Sequence, residues 1–158
     1  MTTFNQQSFS LTGKVALITG GAEGLGKNYS IALSMYGADI FIVSRSNRGW
    51  EETRKIVEQN GQRISFLAKD ITEEGAAAEI VAAVMKAFGH LDILVNNAGM
   101  QVRNDVLEFK DADWQKVINL NLNALYYLSH EAAKVMAKQN SGKIIKSTPW
   151  PPVTSKPI

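Results

Sequence analysis

The chain has 158 residues, 45% of them hydrophobic, with 17 basic and 15 acidic side chains and a formal charge of +2. That supplies the core of one packed domain, which excludes an intrinsically disordered chain, and the charge is too small for an electrostatic nucleic-acid surface. With no cysteine and only His90 and His130 as imidazoles, there is no disulfide framework, no thiolate zinc site, no cysteine nucleophile and no histidine cluster for a metal. The opening MTTFNQQSFS has no Lys or Arg and no long apolar run, and no stretch nears the roughly 20 apolar residues of a membrane span. The expectation is a soluble, cytoplasmic domain with neither a nucleic-acid nor a membrane partner.

Along the chain, Val15-Ala16-Leu17-Ile18 is a short buried strand that runs into glycines. A helix over 24–37 follows, with Leu25, Tyr29, Ala32, Leu33 and Tyr36 on one face and Gly37 as its stop. Ile40-Phe41-Ile42-Val43 is a second strand, and 48–59 a charged helix where Glu51 and Lys55 stand four apart. Arg63–Ala68 alternates as a third strand, 73–88 is an alanine-rich helix, and Leu91–Val95 is a fourth strand. A long helix over 112–138, capped by Asp111 or Asp113, leads to a fifth strand beginning at Lys143-Ile144-Ile145. Trp114, Val117, Ile118, Leu125 and Ala132 fall near one stripe of that helix, with Asn121 among them. Continuous apolar strands alternating with helices predict an α/β fold, a doubly wound parallel sheet of about five strands covered on both faces.

The first strand is followed by Thr19-Gly20-Gly21-Ala22-Glu23-Gly24-Leu25-Gly26 and then a helix. Unpaired N–H groups and the dipole at that helix start favour a phosphate, and glycines let the backbone approach it. The spacing of Gly20, Gly24 and Gly26 resembles the short-chain dehydrogenase/reductase family. Asp70 in Lys69-Asp70-Ile71-Thr72, Asn96-Asn97-Ala98-Gly99 after the fourth strand, and Trp114 through Asn121-Leu122 match three further segments of that family in order. The resemblance covers about residues 11–145 and implies a Rossmann-like dinucleotide-binding fold. It implies cofactor contacts at Gly20, Glu23, Gly24, Leu25, Gly26, Asp70, Ile71, Asn97, Ala98 and Gly99. It also implies that Asn121 holds the water of the family's proton relay. The run from Arg103 through Leu107-Glu108-Phe109 to Asp113-Trp114, with Phe88-Gly89-His90-Leu91-Asp92, is similar to the gluconate and 2-deoxy-gluconate dehydrogenases, so the implied substrate is a sugar acid.

Where an NAD-binding fold places an acid on the ribose 2′-hydroxyl, this chain has Ser44-Arg45-Ser46. A guanidinium can pair bidentately with a 2′-phosphate, and NADP-preferring relatives carry Ser-Arg or Thr-Arg there, so Ser44 and Arg45 imply NADP(H) rather than NAD. The alternative is that Arg45 is a solvated loop charge.

The family's proton relay needs a tyrosine with a lysine four residues on, and a serine. Four residues after Tyr29, Tyr36, Tyr126 and Tyr127 stand Leu33, Ile40, His130 and Glu131, so no Tyr-x-x-x-Lys pair exists. Counting seven from Gly142 puts Pro149 at the serine position, and Ser147 lies two residues early. The expectation is therefore an oxidoreductase domain that is catalytically inactive as this chain. The alternative is a non-enzymatic nucleotide-binding or interaction module that uses the helix over 112–138, a helix that could also build a homo-oligomer. All four prolines lie between 149 and 157, which reads as a frame shift near residue 146, the alternative being a natural short form with a non-catalytic role. Residues 1–10 then form a flexible arm, 11–146 an incomplete dinucleotide-binding domain with the fifth strand as a sheet edge, and 147–158 an aberrant tail without structure.

Overall fold

The computed structural model describes residues 9–105 and 107–147. Most of the predicted arm and all but the first residue of the predicted tail lie outside the described residues. Each apolar run becomes a parallel strand: β1 (Val15–Thr19), β2 (Asp39–Ser44), β3 (Ile64–Ala68), β4 (Ile93–Asn96) and β5 (Lys143–Lys146). They pair in the order β3-β2-β1-β4-β5. The intervening helices are α1 (Gly24–Met35), α2 (Trp50–Gln59), α3 (Ala76–Phe88), α4 (Asp111–Ile118) and α5 (Leu125–Lys138).

The register explains why the strands read as continuous apolar runs. Leu17 stands opposite Phe41 on one side and Leu94 on the other, and Ile18 opposite Ile42 and Val95. Side chains alternate across a strand, so Leu17, Phe41 and Leu94 pack on Ile80 and Val84 of α3 and Leu128 and Ala132 of α5. Ile18, Ile42 and Val95 pack instead on Val57 of α2 and on Tyr29 and Leu33 of α1. With helices on both faces, nothing in β1 meets water. Asp92 fastens the sheet at the strands' N-terminal end: its carboxylate accepts from the Val15 N–H (3.0 Å) and from Lys14 Nζ (2.9 Å).

Three details depart from the sequence reading. The long helix is not uniform: a π-helical turn, Asn119–Ala124, separates α4 from α5. Such a turn advances the backbone by an extra residue and shifts the phase of the faces beyond it. The predicted stripe therefore breaks, with Leu125 and Ala132 buried but Trp114 53% exposed. Neither Asp111 nor Asp113 caps α4. Lys110 holds the cap position without a side-chain bond, and the two aspartates sit in the first turn, where their charge suits the dipole. On α2, Arg54 rather than Lys55 takes Glu51, and Glu58 with it.

β5 pairs with β4 in register, Ile144 opposite Leu94 and Ile145 opposite Val95. Among the described residues no strand lies beyond it, and every residue of β5 is exposed. Among the described residues, no helix is long and apolar enough to cross a membrane.

Candidate cofactor site

Walking outward from β1 the chain lays down β2 and β3, then returns to place β4 on the other side of β1. Beyond the C-terminal ends of β1 and β4 the connections diverge, and such a switch point is where open α/β sheets bind ligands. The glycine-rich turn opens there. Gly20 has φ +65° and its N–H donates to the Val43 carbonyl (2.8 Å), tying the turn to the end of β2. Gly26 cannot be anything larger: a Cβ would stand 2.0 Å from the Gly20 carbonyl oxygen and 2.6 Å from Asn97 Nδ2. Ser30, one turn along α1, donates to the Gly21 carbonyl (2.8 Å) and holds the turn onto the helix. Glu23 occupies the cap position of α1 but makes no side-chain cap bond, so the first N–H groups of the helix remain available to an anion.

Thr19, at the end of β1, joins this turn to β4. Its buried hydroxyl oxygen accepts from the backbone N–H of Asn97 (2.9 Å) and of Ala98 (2.8 Å). Asn97 Nδ2 in turn donates to the Thr19 carbonyl (3.0 Å). Thr19 is not among the cofactor contacts that the sequence implies. A hydroxyl closing an otherwise apolar buried strand has to find partners, and that was the available signal.

The cleft between these elements, about 280 Å³, is lined by Gly20, Glu23, Ser44, Arg45, Asp70, Ile71, Asn97, Ala98 and Gly99, all expected from sequence. Val43, Lys69 and Leu120 complete it, and none of these was foreseen. Gly24, Leu25 and Gly26 form the adjoining first turn of α1 rather than the wall. Burial works to raise the Asp70 pKa, but it is outweighed by the Thr72 backbone N–H (2.9 Å), the Thr72 hydroxyl (2.7 Å) and the Arg45 charge. The carboxyl is held below its ordinary range. Both Thr72 bonds use Oδ1. Lys69 is anchored by Glu73 and Glu79, each at 2.8 Å, which raises its pKa. Glu23 is ion-paired with Arg48.

Asn121 lies in the π-helical turn and does not line the cleft. Its Oδ1 accepts from the Met100 N–H (2.9 Å) and its Nδ2 donates to the Met100 carbonyl (2.8 Å). Both ends of the amide thus clamp the segment that leaves β4 through Gly99, and the polar interruption of the helix face is satisfied by that backbone.

Residues 14–148 match the family model described as short chain dehydrogenase. The chain belongs to the short-chain dehydrogenase family. It is 48% identical over 142 residues to the uncharacterized oxidoreductase YgcW of Escherichia coli, covering 90% of this chain and 54% of that one. With the 2-dehydro-3-deoxy-D-gluconate 5-dehydrogenase of the same organism the identity is 40% over 139 residues, 87% of this chain and 54% of the relative. The chain thus spans about half the length of the curated relatives it matches. Among solved structures, the NADPH-dependent 3-quinuclidinone reductase of Rhodotorula rubra superposes with a TM-score of 0.85 at 29% identity, over 94% of this chain and 57% of that one. An NAD+-bound xylitol dehydrogenase gives 0.81 at 27%, over 85% and 52%. Short-chain dehydrogenases bind NAD(P), and these two neighbours represent both cofactors.

Ser147 does not line the cleft. Its hydroxyl lies 3.2 Å from the Tyr29 hydroxyl on α1, while its N–H donates to the Asn96 carbonyl (3.0 Å). Tyr126, Tyr127 and His130 are exposed on α5, with the His130 and Tyr126 rings stacked 6.0 Å apart. No tyrosine of the described residues lines the cleft.

Proposed function

We propose that this chain is the dinucleotide-binding half of an NADP(H)-dependent oxidoreductase that interconverts an alcohol and a ketone on a sugar acid, and that the 158-residue chain alone binds the cofactor without turning over. The observation that carries the reading is the convergence of the glycine turn, Arg45, Asp70 and Asn97–Gly99 on one cleft at the switch point of the sheet. The residues present fit a dinucleotide: Gly26 lets the turn close on Gly20 and Asn97, a Cβ on Gly24 would meet open space where a pyrophosphate can approach, and the uncapped start of α1 supplies N–H donors. Asp70 keeps Oδ2 as an acceptor for the adenine amino group, and Arg45 offers its guanidinium to a 2′-phosphate. The bound nicotinamide supplies or accepts the hydride.

What this chain does for that chemistry is orientation. Thr19 and Asn97 fix the end of β4 against the glycine turn, and Asn121 fixes the segment beyond it through Met100. The proton on the reacting oxygen has no carrier, because none of the four tyrosines has a lysine four residues on. Acid–base assistance is worth about 10²–10⁴ in rate, so turnover by this chain falls by at least that factor. The sugar-acid assignment draws on the 2-dehydro-3-deoxy-D-gluconate and gluconate dehydrogenases among its relatives. Exposed Leu122, Tyr126 and Tyr127 on one stretch of helix support self-association there.

NADPH fluorescence titration of the purified chain, followed by an assay of NADPH oxidation with keto-sugar acids, tests this. Saturable binding without oxidation is expected. Oxidation that co-purifies with the chain and disappears in an Asn97→Asp variant would overturn the inactivity, and absence of any binding would overturn the cleft assignment.

A further inference from the structure

Four charged side chains line the cleft, and three of them are already engaged. Lys69 is held by Glu73 and Glu79, Asp70 by Thr72, and Glu23 by Arg48. Glu23 is the group that needs explaining. It places a carboxylate at the cap of α1, on the cleft wall it shares with Ser44 and Arg45. Its partner comes from the segment between β2 and α2 that also carries Arg45, so the ion pair bridges the glycine turn and that segment.

That bridge is part of a tightly built contact. A Cβ on Gly49 would stand 2.3 Å from the Ala22 carbonyl oxygen, so the start of α2 presses against the glycine turn. Thr53 donates to the same carbonyl (3.1 Å), and Lys27 of α1 pairs with Glu52 of α2. Arg48 is therefore delivered next to Glu23 by the backbone, although its own side chain is 81% exposed.

We infer that Arg48 is a positioning residue for cofactor choice, acting through Glu23. A free carboxylate on this rim repels a 2′-phosphate and accepts a hydrogen bond from a 2′-hydroxyl. Paired with Arg48, the same carboxylate is neutralised, and Arg45 is left to decide. The Glu23–Arg48 pair thus sets how strongly the cleft favours the phosphorylated dinucleotide. The inference rests on the reading that this cleft holds the adenosine half of the dinucleotide with its 2′ position near Arg45.

The test uses the full chain and two probes that carry only the discriminating half, 2′,5′-ADP and 5′-AMP, titrated calorimetrically. Arg48→Ala weakens 2′,5′-ADP by about two- to fivefold, the upper part of the range for an exposed ion pair, and changes 5′-AMP less than about 1.5-fold. Glu23→Gln changes 2′,5′-ADP less than about twofold, because the carboxylate it removes is already neutralised by Arg48. In the double variant the affinity returns to that of Glu23→Gln, because the arginine has no carboxylate left to neutralise. Equal weakening of both probes by Arg48→Ala would make Arg48 a structural brace and overturn the inference. So would an Arg48→Ala loss that persists undiminished beside Glu23→Gln. Arg45→Ala separates the two levels: a preference for 2′,5′-ADP that survives it, or a wild-type chain that binds neither probe, overturns the underlying reading as well.

Discussion

β1 and β5 flank the same strand, β4, in the same parallel sense, yet they live in different surroundings. Val15 through Ile18 are 0% exposed, whereas Ile144 and Ile145 are 43% and 48% exposed. The difference is not in hydrophobicity, since Ile144 and Ile145 are as apolar as any pair in β1. β1 has a strand on each side and helices on both faces, whereas β5 has one neighbouring strand among the described residues and its outer edge is open. A strand's contribution therefore follows its cover, and no residue of β5 lines the cleft.

The largest effect should come from the covered side. Gly26→Ala drives a methyl into the Gly20 carbonyl and Asn97, so urea denaturation should show a loss of about 3 kcal/mol or more, with NADPH binding abolished. Next, Leu17→Ala should cost about 2–5 kcal/mol through the cavity it leaves, while Ile145→Ala should cost less than about 1 kcal/mol. Equal costs at the two sites would mean that β5 is covered in solution and would break the comparison. Thr19→Val keeps the shape but strands the Asn97 and Ala98 N–H groups, for an expected loss of about 1–3 kcal/mol that Thr19→Ser largely restores.

The smallest effect concerns pH. The Asp70 pKa is lower in the folded chain than in the unfolded one, so its stabilisation is complete above the ordinary carboxyl pKa of about 3.9. It is lost as pH falls from there through the folded value. Asp70→Asn should therefore flatten the acid limb of stability against pH and leave the neutral plateau shape unchanged. An acid limb as steep in the variant as in the parent would show that the Thr72 bonds do not hold the carboxylate.

Much of the cleft was legible because its residues are constrained locally. Gly26 is demanded by a backbone contact within the same turn, and Asp70 and Asn97 stand within two residues of the end of a strand whose apolar run is visible. The Thr19 bonds and the Glu23–Arg48 pair were hidden, since each joins residues far apart in sequence that come together only when β1, β2 and β4 lie side by side. The π-helical turn was hidden for another reason. A hydrophobic stripe assumes constant periodicity, and Asn121 satisfies its amide on Met100 where that periodicity breaks.

By itself, the sequence determined the alternation of strands and helices, the parallel sheet, the glycine turn, and the absence of a tyrosine–lysine pair, because each is written in neighbouring residues. The tertiary structure decided which apolar residues are covered, which charges in the cleft are already neutralised, and that Asn121 braces a loop rather than lining the cleft. Those outcomes depend on distances between separate elements, which strand order and packing set and no local pattern encodes.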